Sequence, residues 1–81
     1  MSTVDVRQSR RWITNRAGIA KAADDEIMIL LRDKSQTGAR IRIVGSGHIP
    51  DSFRLVAPME KIDANCVVVW RRGRDCGVKF T

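Results

Sequence analysis

Ala39-Arg40-Ile41-Arg42-Ile43 puts alanine and isoleucines at odd positions and arginines at even ones. Successive side chains of a strand leave on opposite faces, so this period of two marks a half-buried β-strand. Upstream, positions 27, 29 and 31 of Ile27-Met28-Ile29-Leu30-Leu31-Arg32 share one side. Downstream the alternation returns in Phe53-Arg54-Leu55-Val56-Ala57, in Cys66-Val67-Val68-Val69-Trp70 and in Cys76-Gly77-Val78-Lys79-Phe80. Trp70 is in phase with Val68 and is therefore expected in the core. Turn chemistry separates these runs: Ala23-Asp24-Asp25-Glu26, the longer Gly45-Ser46-Gly47-His48-Ile49-Pro50-Asp51, and Arg71-Arg72-Gly73-Arg74-Asp75. Pro50 and Pro58 fall at element borders, where a missing N–H is tolerated. No stretch carries a long 3.6-residue period, so no substantial helix is expected. Short strands at near-regular spacing predict an all-β barrel or sandwich. For a chain of 81 residues, closure into a small barrel has the advantage of leaving no strand edge.

Composition narrows the function. Fifteen Lys and Arg against nine Asp and Glu give a formal charge of +6. Residues 1–22 carry Arg7, Arg10, Arg11, Arg16 and Lys21 against Asp5, a net +4, which leaves +2 for the other 59 residues. A nearly neutral body with a basic arm points to an anionic partner met by the arm. The polar, aperiodic residues 1–15 are expected to form that arm, flexible at its start, and residues 16–81 the folded domain. The longest apolar run, Ile27-Met28-Ile29-Leu30-Leu31, is far too short for a helical membrane span, and no secretory leader pattern is present. A hairpin centred near Arg72-Gly73 sets Cys76 opposite Val69 and Cys66 opposite Lys79, too far out of register for a disulfide. Two reduced, buried thiols of a cytoplasmic protein are the expectation. His48 is the only histidine, with no second ligand nearby, so no metal site is expected. No nucleophile–base pair or paired carboxylates stand at catalytic spacing, so no enzyme activity is expected.

Two features carry binding chemistry. The first is the run Arg7-Gln8-Ser9-Arg10-Arg11, followed by Trp12 and Arg16. A guanidinium is always charged and presents a planar fork of donors that can grip phosphate and also stack on or hydrogen-bond a guanine. The second is Asp33-Lys34-Ser35-Gln36-Thr37-Gly38, between two predicted strands. A carboxylate two residues from a hydroxyl can accept from the N1–H and N2–H edge of guanine while the hydroxyl meets another polar atom. The glycine lets a planar ligand approach the backbone. Taken singly, the arginines read as a solvated face and the second segment as an Asx- or Ser-turn. Arg40 and Arg42, outward on their strand, read as solvated, and His48 as a surface residue.

The sequence as a whole resembles the PilZ domain family of bacterial cyclic di-GMP receptors. Arg7-Gln8-Ser9-Arg10-Arg11 matches its R-x-x-x-R, and Asp33-Lys34-Ser35-Gln36-Thr37-Gly38 its [D/N]-x-S-x-x-G. Gly38-Ala39-Arg40-Ile41 is similar to its G-A-x-L strand, and Ile49-Pro50-Asp51-Ser52-Phe53-Arg54-Leu55 to its I-P-x-x-F-x-L segment. Val68-Val69-Trp70 and Gly77-Val78-Lys79-Phe80 resemble its closing hairpin. Lys34 departs from the pattern, standing where an aliphatic residue is usual, and a looser inner face of the turn is expected there.

The resemblance implies a six-stranded antiparallel β-barrel with the arginine arm across its outer face. It implies cyclic di-GMP, often as an intercalated dimer, held between arm and barrel. Arg7 and Arg11 would bind phosphate and guanine, Asp33 and Ser35 would contact guanine, and Gly38 would give the backbone room. Arg10 joins them on charge grounds. The implied role is a receptor without cofactor or catalysis that signals through an unidentified downstream protein. Alternatives of other classes are a PilZ-like adaptor that binds no nucleotide, and a small basic barrel binding single-stranded nucleic acid. The last would need exposed aromatics for stacking, and the chain holds only four aromatics.

Overall fold

The computed structural model describes residues 12–81, and side chains from residue 14 onward. The arm expected at 1–15 thus lies outside the described residues as far as residue 11, while Trp12–Asn15 already belong to the first strand. Six strands follow one another: β1 (Trp12–Ala22), β2 (Asp25–Lys34), β3 (Gly38–Ile43), β4 (Ser52–Ala57), β5 (Ile62–Arg72) and β6 (Asp75–Phe80). A single 3-10 turn, Pro58–Glu60, separates β4 from β5. The strands close into an antiparallel barrel in the order β1-β2-β3-β6-β5-β4. Pairing of Ile19 to Lys21 in β1 with Val56 to Arg54 in β4 shuts it. Closure settles the choice between barrel and sandwich that periodicity left open.

The alternation does what it predicts inside the barrel. Ile27, Ile29 and Leu31 from β2, Ala39 and Ile41 from β3, and Phe53, Leu55 and Ala57 from β4 fill the core. Ile49, in the loop before β4, is fully enclosed with them. Each buried Ile, Leu or Phe side chain contributes roughly 1.5–3 kcal/mol by leaving water. Two-residue loops join β1 to β2 at Ala23-Asp24 and β5 to β6 at Gly73-Arg74. Gly73 has a φ of 57°, the positive value that such tight hairpins demand.

That last turn lies one residue beyond the expected centre, and β5 has a bulge between Val68 and Trp70. Both shift the register. Cys66 faces Phe80 and Cys76 faces Arg71, rather than Lys79 and Val69. The conclusion about the thiols holds, since both are free and buried. The expectation for Trp70 fails: its side of the sheet is inverted by the bulge, and 42 % of its surface is exposed. Lys34 also differs from expectation. Its turn face is tied down rather than loose, because Nζ lies 3.1 Å from Glu60 Oε1, and Arg16 Nε is 3.3 Å from Oε2 of the same carboxylate. A charged cluster therefore stands at this end of the barrel where an aliphatic residue is usual.

Candidate functional site

Three irregularities build the site. β1 and β2 shift register between Ile13 and Arg16, where Asn15 has a φ of 50°. Thr14 Oγ1 donates to the Leu31 carbonyl at 2.6 Å, and Arg32 Nε donates to Asn15 Oδ1 at 3.1 Å, which holds the bulge. β2 and β3 shift between Leu31 and Asp33, and β5 and β6 between Val68 and Trp70. A bulge re-aims the side chains beyond it. Unbroken alternation after Ile27, Ile29 and Leu31 would send Asp33 into the barrel. Instead Asp33 pairs with Arg40, whose neighbour Ile41 points inward, so the carboxylate lies on the outer face.

The registers then align one row across the outside of the barrel. Asp33 pairs with Arg40, Arg40 with Gly77, and Gly77 with Trp70. The indole lies directly over Gly77, where a Cβ would overlap its Nε1 and Cε2. Only glycine permits that seat, and a lone glycine within a strand is a sequence sign of such close approach. Two adjoining clefts flank the indole. One, of about 230 Å³, reaches Ser35, Thr37, Gly38 and Lys79; the other, of about 270 Å³, reaches Asp33 and Arg40.

Of the residues predicted from sequence, Asp33, Ser35 and Gly38 come together here. Asp33 is 4 % exposed, and its Oδ2 lies 3.0 Å from Arg40 Nη2 in an ion pair. Arg40 is thus outward, as expected, but ion-paired rather than solvated. Its Nε is buried without a hydrogen-bond partner among the described residues. Ser35 N–H donates to the Gly38 carbonyl at 2.8 Å and closes the loop. Among the described residues the Ser35 hydroxyl has only longer contacts, each 3.4 Å, with Thr37 Oγ1, the Thr37 N–H and the Gly38 carbonyl. Those are at the weak limit of hydrogen bonding. The same residues thus form a Ser-turn and leave the hydroxyl poorly satisfied. Gly38 packs so tightly on β6 that a Cβ would overlap the Val78 carbonyl oxygen. Arg7, Arg10 and Arg11 lie outside the described residues. Sequence reasoning missed Arg40, Trp70 and Lys79 as groove residues.

A second concavity, about 560 Å³, sits at the opposite end of the barrel among Gly45, Gly47, His48, Arg71, Arg74 and Cys76. Here Arg74 Nη1 donates to the carbonyls of Ile43 and Gly45 at 3.2 and 3.1 Å, and Arg71 Nη2 reaches Asp51 Oδ1 at 3.0 Å. Among the described residues no group of His, Cys, Asp and Glu could hold a metal ion, and no helix is long and apolar enough to cross a membrane.

A search of the curated proteins returned no match for the chain. The PilZ domain model matches residues 5–81, nearly all of it, and its span takes in both the arginine run and the closing hairpin. With the closed six-stranded barrel and the Asp-x-Ser-x-x-Gly loop on its outer face, the chain belongs to the PilZ domain family.

Proposed function

We propose that this protein is a non-catalytic receptor for cyclic di-GMP, acting in the cytoplasm and signalling through a downstream protein. The observation that carries the reading is the register of β1 against the motif strand. Trp12 pairs with Lys34 and Ile13 with Asp33, so the arginine-bearing segment enters the sheet beside the Asp-x-Ser-x-x-Gly loop. Covalent reach alone keeps Arg11, Arg10 and Arg7 within about 4, 7 and 18 Å of the Trp12 Cα. In this reading, guanidinium donors for phosphate, a carboxylate and hydroxyl for a guanine edge, and an indole face for stacking serve one groove. Arg7, Arg10 and Arg11 take the phosphates and guanine face in this reading. Asp33 and Ser35 take the guanine edge, Gly38 admits the ligand, and Trp70 forms the far wall.

Ligand binding would neutralise the arginine arm and order it against the barrel, and the partner would read that new surface. Titration calorimetry with cyclic di-GMP on the wild type and on Arg11→Ala tests this. Saturable heat in the wild type, much weakened in the variant, is expected. No heat at tens of micromolar ligand with folded protein would overturn the reading in favour of an adaptor that binds no nucleotide. Steeply salt-dependent binding of arbitrary oligonucleotides, with indifference to cyclic di-GMP, would favour a nucleic-acid module.

A further inference from the structure

We propose that the outer face of β1 and β2 is the interface of a two-fold symmetric dimer, its occupant a second copy of this chain. The interface holds whether or not the groove around Trp70 binds cyclic di-GMP.

On the outside of a barrel, polar side chains alternate with the apolar ones that point inward. β3 and β6 follow that rule, sending Arg40, Arg42, Asp75 and Lys79 outward. β1 and β2 do not. Ile27, Ile29 and Leu31 fill the core, so Met28 and Leu30 leave on the outer face. Ile19 pairs with Met28 on one side and with Val56 of β4 on the other, and Ala17 pairs with Leu30. Val44 adjoins them, its N–H donating to the Met28 carbonyl at 3.0 Å. Met28 is 60 % exposed and Val44 56 %. A contiguous apolar face turned to water marks an interaction site.

The order of side chains along β2 selects the occupant. Outer positions 26, 28, 30 and 32 hold Glu26, Met28, Leu30 and Arg32. An acid and a base thus stand about 20 Å apart at the two ends of an apolar centre. Such a row is complementary to itself reversed. A two-fold axis lying between two facing sheets, at right angles to β2 and over Ile29, sets the strand antiparallel on its own copy. Met28 then meets Leu30 of the second copy, Glu26 meets Arg32 of the second copy, and each contact is made twice. Both charges can reach across. Glu26 Oε2 is 3.8 Å from Lys21 Nζ, with 60 % of its side chain exposed. Arg32 places Nε on Asn15 in an exposed bond, and a guanidinium has five N–H donors. Many partners could cover Met28 and Leu30, but a second copy supplies the reversed charges at both ends by construction.

Analytical ultracentrifugation of the full chain from about 10 µM to about 1 mM tests the dimer, because a contact of two short strands falls at the weak end of interface sizes. A reversible monomer–dimer equilibrium, weakened by added salt, is expected. Met28→Glu should raise the dissociation constant at least about tenfold. Glu26→Arg and Arg32→Glu should each raise it roughly tenfold, because symmetry doubles every like-charge contact. An equimolar mixture of those two variants restores opposite charges at both ends. The mixed dimer should therefore form as readily as the wild-type dimer, and so should the double variant Glu26→Arg/Arg32→Glu. Thermal unfolding identifies any variant that has lost its fold, and the wild type then decides alone. Its Met28 methyl resonance should shift with protein concentration while the Trp70 indole N–H stays in place. A wild type that stays monomeric throughout overturns the proposal and leaves this face to a different partner. A dimer indifferent to Met28→Glu, a mixture no better associated than either reversal alone, or an unmoved Met28 methyl would each overturn it too.

Discussion

The two ends of this barrel carry clefts of similar ingredients and opposite character. The end at Gly45–His48 and the Gly73-Arg74 turn has the larger cavity, two arginines, a histidine and a glycine loop. Its arginines are occupied: Arg74 satisfies two carbonyls of the chain and Arg71 pairs with Asp51. The clefts around Trp70 are smaller, yet two of their polar groups are incompletely matched among the described residues. Among the described residues the Arg40 Nε–H meets no acceptor and the Ser35 hydroxyl has only long contacts. Between these two places, unmatched hydrogen-bonding groups rather than volume distinguish the groove that the receptor reading uses.

The comparison can be broken most forcefully at Gly38. A methyl there overlaps the Val78 carbonyl, which is backbone and cannot step aside, so Gly38→Ala should cost about 2–3 kcal/mol. Thermal unfolding should show a fall in Tm of roughly 10 °C or more. An unchanged Tm would mean that the groove floor yields and is not a rigid seat. Gly77→Ala also overlaps a neighbour, but that neighbour is the Trp70 side chain. A loss of about 1 kcal/mol is expected. In a Trp12→Phe background Trp70 emission should move to longer wavelength, and cyclic di-GMP affinity should fall.

At the other end, Arg74→Ala releases two exposed carbonyls and should cost only about 0.5–1 kcal/mol by denaturant titration. Its affinity for cyclic di-GMP should equal that of the wild type, and a large loss would erase the distinction between the two ends. The smallest effect concerns the thiols. Burial pushes the Cys66 thiol up to about 11, and burial pushes Cys76 up as well, against the pull of Arg71. Unfolded thiols lose their protons near 9, while the folded state keeps them. This contribution to stability is complete below about pH 9 and is lost as pH rises towards 11. Denaturant midpoints across that range should fall, and Cys66→Ala should flatten the slope. At neutral pH neither thiol should react with iodoacetamide in the folded protein, although Cys76 borders the larger cavity.

Much of the fold is legible in the residue pattern. Five of the six strands follow from period-two alternation, and Gly73 marks the last hairpin. The first strand is not legible, because residues 12–22 mix polar and small side chains and depend on two neighbouring strands for their pairing. At the site, Asp33, Ser35 and Gly38 stand out by spacing. Arg40 and Trp70 do not. Simple alternation reads Arg40 as solvated and Trp70 as core, yet one pairs with the Asp33 carboxylate and the other covers Gly77 on the outer face.

The sequence by itself thus determined that the chain is a small all-β domain with a basic N-terminal sequence and an Asp-x-Ser-x-x-Gly loop, because alternation and residue chemistry are local properties. Only the tertiary structure decided which side of the sheet Asp33 and Trp70 occupy. A strand's facing inverts with a single inserted residue. Where that residue is inserted depends on the pairing of neighbouring strands, at Asn15, Arg32 and Val69, and not on any local signal in the chain.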